Sequence, residues 1–334
     1  MPDLNLLVIG CGSIGERHLR CFIKTGRASV TACDTNPDLL KKMAATYSVP
    51  VSDDWQKSLQ AGFDAVVVCT PAPFHVSMAR QAMEAGAHVL VEKPLSQSLG
   101  GVAELIATRD RLRRFAAVAY VLHVYPILCA AREFLRRGEF GPVRQVTVVS
   151  GQSFPTFRPA FAQTYYRDRK MGGGAIQDAL THSVNWVESV VGASESVLCD
   201  CAHQVLPGVE VEDTAHAAVR HGAVLSNFSL NQFQSPNETT FQFNAAGGSV
   251  KVELHQQRWG TFAFGAPGWT WHEVPPLDRD GPFTLQANAF LDLLAGQPSR
   301  LCSLEAAAAT LRFNLSALAS ADSGRRVSCA SIHE

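Results

Sequence analysis

The chain has 334 residues, 46% of them hydrophobic and 18% charged, with a formal net charge of −1. That length allows two domains with separate cores, and the near-neutral balance argues against a broad basic surface for nucleic acid. No apolar run approaches membrane-spanning length, and the opening run, residues 4–9, is short and lacks a basic leader, so neither a membrane partner nor a targeting signal is expected.

In chain order, the first 120 residues alternate short β-branched runs with helical stretches. Strands are predicted over residues 5–10, 29–33, 65–69, 88–91 and 116–120, and helices over 14–25, 37–47, 74–85 and 99–112. Such alternation predicts a parallel sheet with helices on both faces, and all-apolar strands such as "AVVVC" suit a sheet covered on both sides. Past residue 120 the pattern changes. A helix is predicted over 126–137, followed by segments of period two. In "TFQFNAAGGSVKVEL", Phe241 and Phe243 point one way and Gln242 and Asn244 the other, with Gly247 and Gly248 at the turn. "HAAVRHGAVLSNFSL" reads as a second hairpin turning near Gly222. Helices over 284–294 and 304–319 close the chain. The expected fold class is therefore α/β plus α+β. A doubly wound parallel domain (1–121) precedes a mostly antiparallel open-sheet domain (122–334) with helices on one face, whose terminal helices can pack back on the first.

The nine cysteines are odd in number and scattered, which fits free thiols in a reducing cytoplasm, so a cytoplasmic location is expected. Cys199, Cys201 and His203, spaced by two, would share one strand face. Structural zinc sites usually combine two ligand pairs at wider spacing, so no metal is expected.

Gly10, Gly12 and Gly15 fit G-x-G-x-x-G between an apolar strand and a helix. The first glycine permits the tight turn, the second lets a pyrophosphate approach the backbone, and the third lets helix and strand pack closely. The turn residues Gly10, Gly12, Ser13, Ile14 and Gly15 are thus cofactor-binding candidates, with the N–H groups of the helix start open to phosphate. Asp34 ends the second strand, 24 positions after Gly10. A carboxylate there accepts the ribose hydroxyls of NAD and repels the extra phosphate of NADP, and no arginine follows to receive it, so NAD is expected over NADP. The same aspartate also suits a turn or cap position before Pro37.

Two more stretches, "VVVCTPAPFHVSMARQAMEAGAHVLVEKP" (66–94) and "GGGAIQDALTH" (172–182), join "GCGSIGERH" in order and spacing. Together they closely resemble the glucose–fructose oxidoreductase, inositol dehydrogenase and rhizopine catabolism family, Gfo/Idh/MocA. The resemblance implies a Rossmann domain followed by an open-sheet domain. It also implies a nicotinamide cofactor, a sugar or polyol substrate, and a homodimer or homotetramer built through the sheets. It places Thr70 and Pro71 against the cofactor, with a helix beginning near His75, and Glu92, Lys93 and Pro94 near the nicotinamide, the lysine reaching substrate. Many members carry a cis bond between that lysine and proline.

Asp178 and His182, at i and i+4 of a predicted helix, share a face nearly opposite the apolar stripe of Ile176, Leu180, Val184, Val187 and Val191, followed by Asn185. Read alone, this is equally a solvated helix face. The resemblance turns it toward the nicotinamide, with Lys93 and His182 converging from separate lobes on one carbinol. The sequence departs from the family pattern at Leu180, where glycine is common, at Asn185, where aspartate is common, and at Val121 and His123. Tyr120, His123, Tyr125, Arg158, Tyr165, Tyr166 and Arg167 are candidate substrate contacts. Arg158, Arg167, Arg169 and Lys170 suit either an anionic substrate group or a solvated loop.

The expected function is hydride transfer between a secondary alcohol of a sugar-like substrate and the nicotinamide. His182 would accept the hydroxyl proton, Asp178 orient the imidazole, and Lys93 stabilise developing alkoxide or itself take the proton. Two other readings stand beside it: a tightly NAD-bound enzyme with no net redox change, and a non-catalytic dinucleotide-dependent sensor or regulator.

Overall fold

The computed structural model describes residues 4–333. The first segment forms β1 (Leu4–Ile9), α1 (Ser13–Thr25), β2 (Ala28–Cys33), α2 (Pro37–Tyr47), β3 (Val51–Ser52), α3 (Trp55–Gln60), β4 (Ala65–Val68), α4 (His75–Glu84), β5 (His88–Val91), α5 (Val102–Leu112) and β6 (Ala116–Val118). The second comprises α6 (Pro126–Arg137), β7 (Val143–Gly151), the short α7 (Phe154–Phe157), α8 (Thr181–Val191), β8 (Ser196–Ala202), β9 (Thr214–His221), β10 (Val224–Asn231), β11 (Glu238–Ala245), β12 (Gly248–Glu253), β13 (Arg258–Ala263) and β14 (Thr270–Glu273). The chain ends with α9 (Gly281–Leu294), α10 (Leu304–Ser323) and β15 (Val327–Ser328). Two compact units result. One runs to Val124 and takes up again over Leu277–Ala307; the other is Tyr125–Pro276 with the chain from Ala308 on.

In the first unit six parallel strands lie in the order β3-β2-β1-β4-β5-β6. The order reverses direction between β1 and β4, the switch point at whose carboxyl edge open α/β sheets bind ligands. Leu6, Leu7, Val8 and Ile9 of β1 are all buried, each contributing about 1.5–3 kcal/mol. Around Leu6 and Val8 pack Leu19 and Phe22 of α1, Val30 and Ala32 of β2, Met43 of α2 and Phe290 of α9. Local signals set the helix ends. Asn36 caps α2 through its Oδ1, which accepts the N–H groups of Asp38 and Leu39, and Pro37 opens the first turn. Gly26 closes α1 in the left-handed region.

In the second unit nine strands lie in the order β14-β13-β12-β11-β7-β10-β9-β8-β15. Every pairing is antiparallel except β7 with β10. Both expected hairpins form. His221 pairs with Val224 across Gly222, whose φ of 58° suits a two-residue turn, and Ala245 pairs with Gly248. Alternation then sorts the faces: on β9, Ala215, Ala217, Val219 and His221 are buried. Trp186 of α8 meets Phe241 and Phe243 of β11 edge-on, and Phe313 of α10 faces Phe228 of β10.

Asp213 holds the loop before β9. Its carboxylate accepts the N–H groups of Gln204, Val205 and Leu206 and the Thr214 hydroxyl. Burial works to raise its pKa, but these four donors outweigh burial and leave it below the ordinary 3.8. A depressed carboxyl contributes stability that is whole above the unfolded value and is lost as pH falls through the folded one. Asp213→Asn should therefore cost about 2 kcal/mol at neutral pH, the usual loss for hydrogen bonds to a charged group. In urea titrations the gap from wild type should shrink as the pH drops below 4.

Candidate active site

The carboxyl edge of the first sheet carries its polar groups in strand order. After β2 comes Asp34, after β1 the turn of Gly10 and Gly12, after β4 Thr70, and after β5 Glu92 and Lys93. The glycines do what their spacing requires. Gly10 holds φ at 91°, and a Cβ there would meet the Cys69 carbonyl oxygen at 2.7 Å. A Cβ on Gly15 would collide with the Gly10 carbonyl, so only glycine lets α1 sit this close to the turn. Gly12 differs: nothing lies within 4 Å of its Cβ position, and its side faces open space. It caps α1 with no side chain bonded to the helix start, which leaves the first-turn N–H groups open to an anion.

Asp34 supports this cradle. One carboxylate oxygen accepts the Cys11 N–H at 2.6 Å and the other the Asn36 N–H at 2.8 Å. A carboxylate offers about four acceptor positions, so capacity remains for two hydroxyls. Open space over Gly12, an uncapped helix start and a part-engaged carboxylate fit a dinucleotide. Asp34→Asn should relax discrimination against NADP by roughly tenfold or more, because the repelling charge is gone. The measurement is the ratio of NADP to NAD dissociation constants.

The Lys93–Pro94 bond is cis. The residues about it are held from inside. Glu92 is buried, and one of its oxygens lies 2.7 Å from Nε2 of the fully buried His18, while the other accepts the Lys93 N–H at 2.9 Å. Burial works to raise the Glu92 pKa, but the His18 hydrogen bond and the charges of His18 and Lys93 bring it below the ordinary value. His75 is 1% exposed. Its Nδ1 lies 2.8 Å from the Pro94 carbonyl oxygen and its Nε2 2.7 Å from that of Thr70. Burial lowers the His75 pKa, opposed by those two carbonyls and by Glu92. His75 and Glu92, expected at the cofactor, are thus interior groups that hold the strand ends. Thr70 and Lys93 are partly exposed and Pro71 is exposed.

In the second unit Ile176–Leu180 is a π-helical turn leading into α8. Such turns often mark functional positions, and this one changes the angular offset that a regular helix would give Asp178 and His182. Asp178 is 1% exposed. Arg158 donates from Nη1 to one of its oxygens at 2.7 Å, and the Tyr165 hydroxyl donates to the other at 2.7 Å. The Asp178 charge in turn raises the Arg158 pKa. His182 is partly exposed at the start of α8. The polar line beyond it is covered, not solvated. Asn185 donates to Thr310 at 2.9 Å, Asn314 donates to Thr181 at 3.0 Å, and Thr310 donates to Glu188. Side chains of α10 thus satisfy these groups, which is why a polar helix face can be buried here.

The remaining candidates separate by burial. Arg158, Tyr165 and Arg167 are exposed. Tyr166 is a core residue: it packs with Phe154 and Phe161, and its hydroxyl donates to Gln232. Tyr120 and His123 are buried in the first unit, and Tyr125 is partly buried. Arg169 pairs with Glu212 and Asp322, so it is a tie within the second unit. No motif in the sequence assigns His18 a role. The available signal was its place in the buried stripe of Gly15, His18, Leu19 and Phe22 on α1, where an unexplained histidine requires a partner.

A glycine turn at the switch point and an acidic residue after the second strand define a dinucleotide-binding class of protein. Two family models match in succession: residues 4–120 match the oxidoreductase family with an NAD-binding Rossmann fold, and residues 129–251 the GFO/IDH/MocA C-terminal domain. The chain belongs to the Gfo/Idh/MocA family, and residues 4–120 match that family's NAD-binding Rossmann domain.

Among curated relatives, it is 29% identical over 181 residues to 1-carboxy-3-chloro-3,4-dihydroxycyclohexa-1,5-diene dehydrogenase of Comamonas testosteroni, covering 53% of this chain and 45% of that one. It is 29% identical over 198 residues to dTDP-3,4-didehydro-2,6-dideoxy-alpha-D-glucose 3-reductase of Saccharopolyspora spinosa, covering 56% and 58%. The chain thus spans about half the length of these relatives. Among solved structures, the WlbA dehydrogenase of Bordetella pertussis, in complex with NADH and UDP-GlcNAcA, shares the fold with a TM-score of 0.84 at 22% identity, over 98% of this chain and 97% of that one.

Proposed function

We propose that this protein is an NAD-dependent dehydrogenase acting on a secondary alcohol of a sugar, polyol or sugar derivative. The observation that carries the reading is the row of groups along one sheet edge: Asp34, the open Gly12 turn, Thr70 and Lys93. Relatives named for action on a cyclic diol and on a nucleotide-linked deoxysugar support the substrate class.

Bound NAD supplies the hydride acceptor. Asp34 and the start of α1 orient it through ribose and phosphate. His182 takes the hydroxyl proton as the carbinol is oxidised, a general-base role that histidine side chains most often fill. Lys93 donates a hydrogen bond to the same oxygen and stabilises negative charge as it develops. Asp178, locked by Arg158 and Tyr165, keeps the π-helical turn ahead of His182 in place. The test is a panel of polyols, sugars, sugar acids and nucleotide sugars, read as NADH absorbance. At least one class should support NAD-dependent turnover. Turnover with no added NAD and no NADH release would overturn the simple dehydrogenase reading.

The second sheet exposes Val149 of β7, Leu225 of β10 and Leu198 of β8, with β9 between the last two. Exposed apolar side chains on that sheet support self-association through it. Light scattering should give a homodimer or homotetramer, and Leu225→Lys should shift it toward monomer.

A further inference from the structure

We propose that two buried histidines, His18 and His75, are positioning residues for Lys93, each fixing one neighbour of that lysine. The inference rests on the reading of Lys93 as the group that meets substrate.

His18 acts on the amino-terminal side. Its ring is fully buried in α1, the helix that follows the glycine turn, and it reaches Glu92, 74 positions away in the sequence. The second oxygen of Glu92 takes the Lys93 N–H. A buried carboxylate is costly unless it is paired and hydrogen-bonded, so His18 is what allows Glu92 to stand beneath Lys93 as an acceptor. The other face of the His18 ring is apolar. Its Nδ1 has no hydrogen-bond partner, and Phe283 of α9 meets the ring edge-on with centroids 5.7 Å apart. The ring is therefore committed to the single contact with Glu92.

His75 acts on the carboxyl-terminal side. Its ring spans the carbonyls of Thr70 and Pro94, joining the end of β4 to the residue after Lys93. Both partners only accept, so the neutral ring donates to one carbonyl while its other nitrogen packs against the second, and only the protonated ring donates to both. Lys93 is thus set between two residues whose places are fixed by imidazoles from α1 and α4. A misplacement of about 1 Å at a reacting group can cost on the order of a hundredfold in rate, which gives such a frame a functional use beyond stability.

The experiment reads the Lys93 amine directly. Full-length protein without nucleotide is treated with trace acetic anhydride. Labelling of Lys93 is compared with that of Lys41 and Lys57 by mass spectrometry in His18→Phe, His18→Gln, His75→Phe and His75→Gln. The phenylalanine variants keep the ring volume and lose the donor; the glutamine variants keep a donor. The account expects relative Lys93 labelling to change by roughly threefold or more in the phenylalanine variants and by less than about twofold in the glutamine ones. It also expects kcat to fall roughly tenfold or more in the phenylalanine variants while the NAD dissociation constant stays within about twofold.

Unchanged Lys93 labelling in folded phenylalanine variants overturns the proposal, as does equal loss in the phenylalanine and glutamine variants. If a phenylalanine variant does not fold, His18→Asn or His75→Asn, too short to span the contact, replaces it under the same two criteria. Because labelling needs no substrate, altered Lys93 reactivity upholds the positioning role even if the wild type turns over nothing on the panel. That second result would count against the dehydrogenase reading alone.

Discussion

Gly12→Ala should weaken NAD binding roughly a hundredfold while leaving folding stability within about 1 kcal/mol of wild type, and Gly15→Ala should damage both. The contrast comes from what each new methyl meets. At Gly12 it meets nothing of the protein within 4 Å, and the backbone there, at φ −62°, accommodates alanine. The methyl intrudes only on the space a phosphate needs, and loss of one or two charge-assisted N–H bonds of about 1.5–3 kcal/mol each gives the stated factor. At Gly15 the methyl collides with the Gly10 carbonyl, a backbone atom that cannot swing aside. Relief requires α1 to move from β1, at a cost of about 3 kcal/mol or more. Isothermal titration and thermal melts on the two variants separate the effects. Wild-type NAD affinity in Gly12→Ala would show that the turn makes a corner and holds no phosphate.

Lys93→Met and His182→Ala should each cut turnover by roughly a hundredfold or more, the usual size of acid–base help, with the NAD dissociation constant little changed. If both groups act on the oxygen of one carbinol in one step, their effects are not independent. The double variant should then lose far less than the product of the two single losses. Fully multiplicative losses would mean that the two residues serve separate steps. A His182→Ala variant with full turnover would remove the histidine from the chemistry and leave Lys93 as the proton acceptor.

The parts of this molecule that local chemistry dictates were legible in the sequence. β-branched runs such as Ala65–Val68, the Asn36–Pro37 cap and the two hairpin turns each carry their signal within a few residues. What was not legible depends on distant partners. β3 is two residues long and exists because Ala32 and Cys33 pair with it, too short a run for any periodicity. The polar line of α8 was open to two readings, solvated or turned toward the cofactor, because its satisfying partners, Thr310 and Asn314, lie more than a hundred residues away. The π-helical turn at Ile176–Leu180 shifts a spacing that i, i+4 reasoning takes as fixed. At the candidate site, the glycines, Asp34 and Lys93 stand where motif spacing puts them. The inward-facing roles of Glu92, His75 and Tyr166 follow instead from the carbonyls, the histidine and the aromatic rings that folding brings to them.

The most direct trial of the account is isotope transfer. A substrate identified on the panel is prepared with deuterium on its carbinol carbon and incubated with wild-type protein and NAD, and the NADH is isolated and analysed by mass spectrometry and NMR. The account predicts one deuterium at nicotinamide C4, delivered to a single face, at a rate that falls at least about a hundredfold in Lys93→Met. NADH free of deuterium, or no NADH from any substrate class by a folded protein that binds NAD, would contradict it.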